Sequence, residues 1–532
     1  MLIAMMQRVL WYLPIAAVMA PLATGSWIHG GACASSLTPA MYFASAACAA
    51  SLLLPQCRGP ESLRSARWRA LKGLLRDPLL WLALGLALYL CIPLFNVALC
   101  PVCDRAAIVA GTDSRPPFPW LPFCVNPREH SGVLLWFGPA FLVALGVRHA
   151  LSRSGQKAFF ELMVWNGTFL SAYGFAQILA VSMFGHGGGS HAMRQGFSVF
   201  GYPNMGGCFF AVNYAFSLGL WCYRMEQREG ASGSFSRECC ADRPRHVFLR
   251  THYPCIAVAL SFFAALTTMS RAAISLIAAI TVIFFVYVVI RLLFAKTTLR
   301  PIRFRTLPVV GFAFVALFLS VFLYAPPEVG KELRSLNCWI IADRVSGKAQ
   351  YHGRVASAIM RDFPLFGVGG WGYRHFCLPY MTEEELRKFQ RLGGANVHND
   401  YLQFLAEHGI AGCALLLACM AMVLAPLVSS WKAMAREYIH SARAGMGGAS
   451  SVAFTVSPPV LWTLIGCMAI LVHAFGDCPF RSSANMTFFI SSLAATVGFL
   501  PSRRMWSPTT ASSTTRPPSS RRVSARQSAS TG

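Results

Sequence analysis

The 532-residue chain is 55% hydrophobic and only 13% charged, with a mean hydropathy of +0.49, and these values exclude an ordinary soluble domain, which carries about 25% charged residues. The net charge of +25 raises nucleic acid as a partner, but the basic residues are scattered over many short segments and form no single patch. A membrane explains both features, and nucleic acid is not expected as a partner.

Apolar runs long enough to cross a bilayer, about 17–25 residues, recur along the chain. They lie near 9–24, 37–54, 78–99, 132–147, 158–184, 198–220, 254–269, 272–290, 308–325, 401–428, 456–474 and 486–500. The expected fold is therefore an all-α polytopic membrane protein with about twelve transmembrane helices. Arg8 precedes the first apolar run as in a signal peptide, but no clean small-x-small cleavage site follows, so this run reads as an anchor. The basic segment with Arg58, Arg64, Arg67, Arg69, Lys72 and Arg76 reads first as a topology signal and second as a contact for anionic lipid.

With the N-terminus inside, the expected cytoplasmic segments hold 30 of the 46 Lys and Arg residues, against 16 outside. The acids divide the other way, leaving +22 inside and +3 outside. This asymmetry puts both termini in the cytoplasm. Residues 326–400 then form a large, partly helical extracytoplasmic loop between spans nine and ten, long enough to suggest a functional cap. Residues 1–500 form the transmembrane domain, and 501–532, rich in Ser, Thr, Pro and Arg, read as a disordered cytoplasmic tail.

The outer ends of the spans collect the polar residues. Arg194 precedes Phe200-Gly201-Tyr202-Pro203-Asn204, Arg271 follows Thr268-Met269-Ser270, and Asp477 and Arg481 follow His473. Each Arg has a bland reading as an interfacial anchor, strongest for Arg481. His398-Asn399 is followed after nine residues by Gly409-x-x-Gly412. Asp400 is expected to cap the new helix, with Gln403 as its capping-box partner. That leaves His398 at the positive end of the helix, where anions gather. A His there is a candidate general base, while the glycines have an alternative reading as close-packing positions. Two Arg and one His on one face suit a substrate with phosphate and a hydroxyl, because Arg grips phosphate oxygens bidentately and keeps its proton.

Cys100, Cys103 and Cys124 share one outer loop, and Cys338 and Cys377 share the large one, so disulfides are chemically open there. One lone Cys-x-x-Cys is weak evidence for metal, and none is expected.

The His398-Asn399-x9-Gly409-x-x-Gly412 pattern resembles the signature of the O-antigen ligase and O-antigen polymerase-like membrane proteins. Arg194 with Phe-Gly-Tyr-Pro-Asn, Thr-Met-Ser-Arg at 268–271, Arg354 through Gly369, and His473 to Phe480 follow in the same order, so the resemblance covers roughly 190–500. It departs at Ala272, where many relatives have Gly, and in a Cys-rich outer face and an added tail. The resemblance implies a bacterial inner-membrane enzyme that needs no cofactor. A glycan would leave an undecaprenyl-diphosphate carrier, with inversion and without metal, for an acceptor hydroxyl on the periplasmic face. By resemblance His398 is the catalytic residue and Arg194 and Arg271 hold the donor diphosphate, with Arg354, Asn399 and Asp477 in support. The expected partners are the lipid-linked glycan donor, a glycan, lipid or protein hydroxyl acceptor, and membrane lipids. Ligase, polymerase and protein O-oligosaccharyltransferase remain alternatives by acceptor. A solute transporter is the rival of another class. It would place ionisable groups near the midplane, whereas here they gather on one face.

Overall fold

The computed structural model describes residues 2–31, 34–57, 61–98, 116–184, 196–232, 251–293, 352–385, 396–443 and 456–500. The expected ninth span at 308–325, Arg194, residues 326–351 and 386–395 of the large loop and the tail after 500 lie outside the described residues. The chain divides into Met1–Leu500 and Pro501–Gly532, and the second unit is wholly outside them.

Among the described residues the secondary structure is helical, with no strand beyond two isolated bridges. The helices are α1 Leu2–Trp27, α2 Ala34–Ala50, α3 Leu63–Arg76, α4 Pro78–Cys91, α5 Pro127–His149, α6 Arg153–Phe184, α7 Pro203–Ser232, α8 Pro254–Thr267 and α9 Arg271–Leu293. A helical segment at 352–362 follows, then α10 Asp400–Arg443, α11 Pro458–His473 and α12 Ser483–Ala495. Many begin with a polar cap, a Pro in the first turn, or both. Asp77 accepts the Leu79 amide ahead of Pro78, Asn126 accepts those of Arg128 and Glu129 after Pro127, and Ser482 accepts that of Asn485. Pro costs nothing there, because the first amides of a helix have no helical partner.

Six helices are long and apolar enough to cross a membrane: Val9–Trp27, Pro78–Phe95, Pro127–His149, Pro203–Arg228, Arg271–Arg291 and Asp400–Arg436. Thr38–Leu53, Pro254–Thr267, Pro458–His473 and Ser483–Phe499 are shorter apolar helices. The expected span at 158–184 is helical within α6. Among the described residues the chain is thus all-helical, with six spans supported by length and composition, as in an integral membrane protein. Phe43, Leu88, Phe285 and Leu417 point outward, an arrangement suited to lipid. The core runs through α12, every residue of which is buried against α1, α5, α6, α7 and α10. Buried polar groups are paired across helices: Asn166 accepts from Trp27 Nε1 at 3.0 Å and donates to Ser26 Oγ at 2.9 Å.

One irregularity positions the site. Helix α10 is broken at Gly409, whose φ of 60° and ψ of −170° fall in a region open essentially to Gly alone. The loop after 352–362 fills the break. The amides of Ile410 and Ala411 donate to the carbonyls of Pro364 and Leu365 at 3.0 Å, and those of Val368 and Gly369 donate to Ala406 and Glu407 at 3.1 and 2.8 Å. A Cβ on Gly409 would come within 2.3 Å of the Leu365 carbonyl oxygen. The first motif glycine therefore lets the cap loop hydrogen-bond into a broken membrane helix.

Candidate functional site

The site forms where the start of α10 meets the loop between α11 and α12. His398 sits just before α10 with φ +53°, an uncommon conformation for a residue other than Gly, though one that His adopts more readily than most. It is held on both sides: the Val397 amide donates to Gln403 Oε1 at 3.0 Å, and the Asp400 amide donates to the Ala474 carbonyl at 2.9 Å. The cap is Asn399, whose Oδ1 accepts the Leu402 amide at 3.0 Å, whereas its Nδ2 donates to the Phe475 carbonyl at 3.2 Å. This corrects the expectation that Asp400 is the cap. Asp400 is already the first helical residue, and its carboxylate turns inward to accept the Phe480 amide at 2.8 Å.

His398 Nδ1 lies 3.2 Å from Asp477 Oδ1. Asp477 is a hub. The Tyr202 hydroxyl reaches its two oxygens at 3.2 and 3.1 Å, the Cys478 amide donates to Oδ1 at 2.8 Å, and Asn204 Nδ2 donates to Oδ2. Burial opposes the charge on Asp477. The bond from His398, the neighbouring imidazole of His473 and the Cys478 amide outweigh it and hold the carboxyl below its usual range. The lowered carboxyl keeps Asp477 charged at neutral pH and places an acceptor beside His398 Nδ1; in the tautomer that donates to it, Nε2 is the free acceptor of the ring.

Arg271 opens α9 directly after Ser270, whose Oγ accepts the Ala273 amide at 3.3 Å, and after Met269 at φ +55°. This turn lies against α7: a Cβ on Gly207 would touch Thr268 Oγ1, Ser270 Cβ and Ala273 Cβ. Gly207 is three residues beyond Asn204, so the first turn of α7 abuts the Arg271 turn and also carries a ligand of Asp477. Arg354 is half-exposed on the 352–362 segment and pairs with Glu385. Arg194 lies outside the described residues.

Residues 256–417 match the family model of the O-antigen ligase domain. No curated protein matches the chain. The matched stretch contains Arg271, Arg354, His398, Asn399, Gly409 and Gly412, while Arg194 and Asp477 fall outside it. The match covers less than a third of the chain and marks this stretch as similar to the O-antigen ligase domain, whose name points to surface polysaccharide assembly.

Three side chains around this domain carry contacts that the sequence did not single out. Tyr202 and Asn204 stand in the quoted Phe-Gly-Tyr-Pro-Asn stretch, but only the fold brings them to Asp477. His352 has its ring 6.0 Å from that of His398 and its Nδ1 3.1 Å from the Tyr373 hydroxyl. Arg481 overturns its reading as an interfacial anchor. It is buried, 2.8 Å from Glu407 and 3.7 Å from Asp400, with its guanidinium over the rings of Trp371 and Trp136.

His398, Asp477 and Cys478 place an imidazole, a carboxylate and a thiol within 4.8 Å of one another, a donor set that a transition metal could use. Burial and the two nearby acids push the Cys478 thiol well up, and it donates to Gln403 Oε1 at 3.7 Å. A metal would have to displace that proton. Cys124 and Cys377 are free thiols, and burial pushes Cys124 up to about 12, whereas Cys100, Cys103 and Cys338 lie outside the described residues.

Proposed function

We propose that the chain transfers a glycan from a polyprenyl-diphosphate carrier to an acceptor hydroxyl at the outer membrane face. The observation that carries this reading is the His398–Asp477 pair at the mouth of the broken helix of an O-antigen ligase domain. The acceptor oxygen attacks the anomeric carbon as the bond from that carbon to the diphosphate oxygen breaks, with inversion. The hydroxyl proton passes to His398 Nε2, and Asp477 balances the imidazolium that forms. Arg194 and Arg271 hold the diphosphate as it departs with the bonding electrons, which makes a metal unnecessary. Asn399 and Arg354 support the loop, Asn399 by capping α10 and Arg354 by fastening the cap segment to Glu385.

The wider setting of this reading is a bacterial inner membrane, about twelve spans and both termini in the cytoplasm. The charge asymmetry of the sequence supports that orientation. The test is a deletion strain whose surface glycans are resolved on gels. Loss of polymer from the lipid core, with accumulation of lipid-linked polymer, supports ligation. Single repeat units on the core point to polymerisation instead, and an unchanged glycan pattern overturns both.

A further inference from the structure

The basic helix α3 connects the ends of two apolar helices: α2 and its 3-10 turn end at Leu53, and α4 begins at Pro78. Its inward face is made small. Ala66 and Ala70 are fully buried, and a Cβ on Gly73 would lie 3.0 Å from His149 Nδ1. These positions repeat at helical spacing and bring α3 flat against the body. Two Arg residues fasten it there. Arg67 Nε donates to the Leu53 carbonyl at 2.5 Å, and Arg69 donates to the Gln56 carbonyl at 3.0 Å while pairing with Glu61 at 3.1 Å.

The opposite face mixes two chemistries. Trp68, Leu71 and Leu75 are exposed at helical spacing, and exposed Arg64 and Lys72 stand among them. Between α3 and the end of α2 lies a groove of about 920 Å³. Leu52, Leu53, Trp68 and Leu71 give it an apolar wall, and Arg64, Arg67, Lys72 and Arg76 give it a basic one. An exposed Trp and Leu face on a soluble protein would be a liability, but beside the end of the apolar helix α2 and the start of the candidate span α4 it suits the depth of lipid headgroups.

We infer that this groove is a binding site for one anionic phospholipid, its phosphate against Arg64 and Lys72 and its upper acyl chain along Trp68 and Leu71. Charge complementarity selects an anionic headgroup, because the groove wall has basic residues and no acid is among its described lining residues. The apolar wall selects a lipid over a soluble phosphate, since only a lipid covers Trp68 and Leu71. Arg67 and Arg76 add to the positive field without direct contact with the phosphate.

The full-length protein, purified from phosphatidylglycerol and phosphatidylethanolamine bilayers, can be weighed intact by native mass spectrometry to count retained lipids. Wild type should retain phosphatidylglycerol over phosphatidylethanolamine. The double variant R64Q/K72Q should lose that preference by roughly 10- to 30-fold, from about 1 kcal/mol for each basic residue near the surface. K432Q, a basic change on α10, should keep it. Trp68→Ala should weaken retention, and excess glycerol phosphate should fail to displace the lipid. Equal retention by wild type and R64Q/K72Q, both with unchanged helical circular dichroism, overturns the site. Displacement by glycerol phosphate also overturns it, because it reduces the groove to a soluble-anion site.

Discussion

Asp477 Oδ1 stands 3.2 Å from His398 Nδ1, joining residues 79 apart in the chain. The two come together because the Asp400 amide is bonded to the Ala474 carbonyl, so the start of α10 is fastened to the loop that carries Asp477. If Asp477 fixes the proton on Nδ1, Asp477→Asn should leave the fold intact and misassign the tautomer. Turnover should fall by roughly 10²- to 10⁴-fold. Tyr202→Phe removes one of several bonds to the same carboxylate and should cost about tenfold or less. Transfer assays with a lipid-linked donor decide this. Near-normal turnover in D477N would show that the carboxylate only braces the loop.

The base itself is tested by His398→Gln. Turnover should drop by about 10²- to 10⁴-fold while donor binding changes little. His408 resembles an internal control by its spacing, but it is a poor one. It is buried, with its ring 4.5 Å from Phe404 and its carbonyl bonded to Tyr89, so His408→Gln should lower stability. Exposed His440 is the better comparison. An active H398Q variant would move the search for the base to His352, whose ring lies 6.0 Å from that of His398.

Arg271→Lys and Arg194→Lys keep the charge and lose the bidentate fork. Each should lose most activity, about 30- to 1000-fold, the worth of one charge-assisted contact in a dry site. The measurement is single-turnover transfer at matched protein level. Full activity in both Lys variants would mean that the diphosphate is held elsewhere.

The sequence disclosed different parts of this site for different reasons. The helices of the membrane domain were legible because long apolar runs leave few other structures open to them. His398, Arg271 and Asp477 stood out as polar residues at the ends of such runs. The cap was misread because Asn399 and Asp400 are both good capping residues, and only the Leu402 amide, bonded to Asn399, distinguishes them. Arg481 was misread because its partners Glu407 and Asp400 are distant in sequence. Gly409 was readable as a small residue but not as a break, since that depends on the loop at 364–369 arriving beside it.

Gly409→Ala tests that break. The backbone strain alone should cost about 1–3 kcal/mol, and the added Cβ meets the Leu365 carbonyl as well. The melting temperature should fall, and transfer with it, because the break seats the 364–369 loop on the helix that His398 precedes. Gly138→Ala lies in helix α5 with nothing within 4 Å of the new Cβ and should be neutral or slightly stabilising. Equal melting temperatures in the two variants would remove the structural role given to the first motif glycine.

The last prediction separates the two kinds of Arg pair in this domain. Arg481 is 5% exposed beside a fully buried Glu407, so Arg481→Ala leaves a carboxylate without its cation in a closed site. Such a deletion costs about 3–5 kcal/mol, much of it the penalty of the stranded charge. Arg354 pairs with Glu385 in the open, where a pair is worth about 0–1 kcal/mol, so Arg354→Ala should barely change stability. The double variant R481L/E407L removes both buried charges and should recover much of the stability lost in R481A. It should not recover activity if Arg481 sets the register between α10 and the Asp477 loop, because Asp400 then loses its partner too. Thermal unfolding in detergent read beside transfer rates distinguishes the cases. Recovery of both would make the buried pair a packing feature, and recovery of neither would mean that the surrounding Trp136 and Trp371 cannot close over Leu.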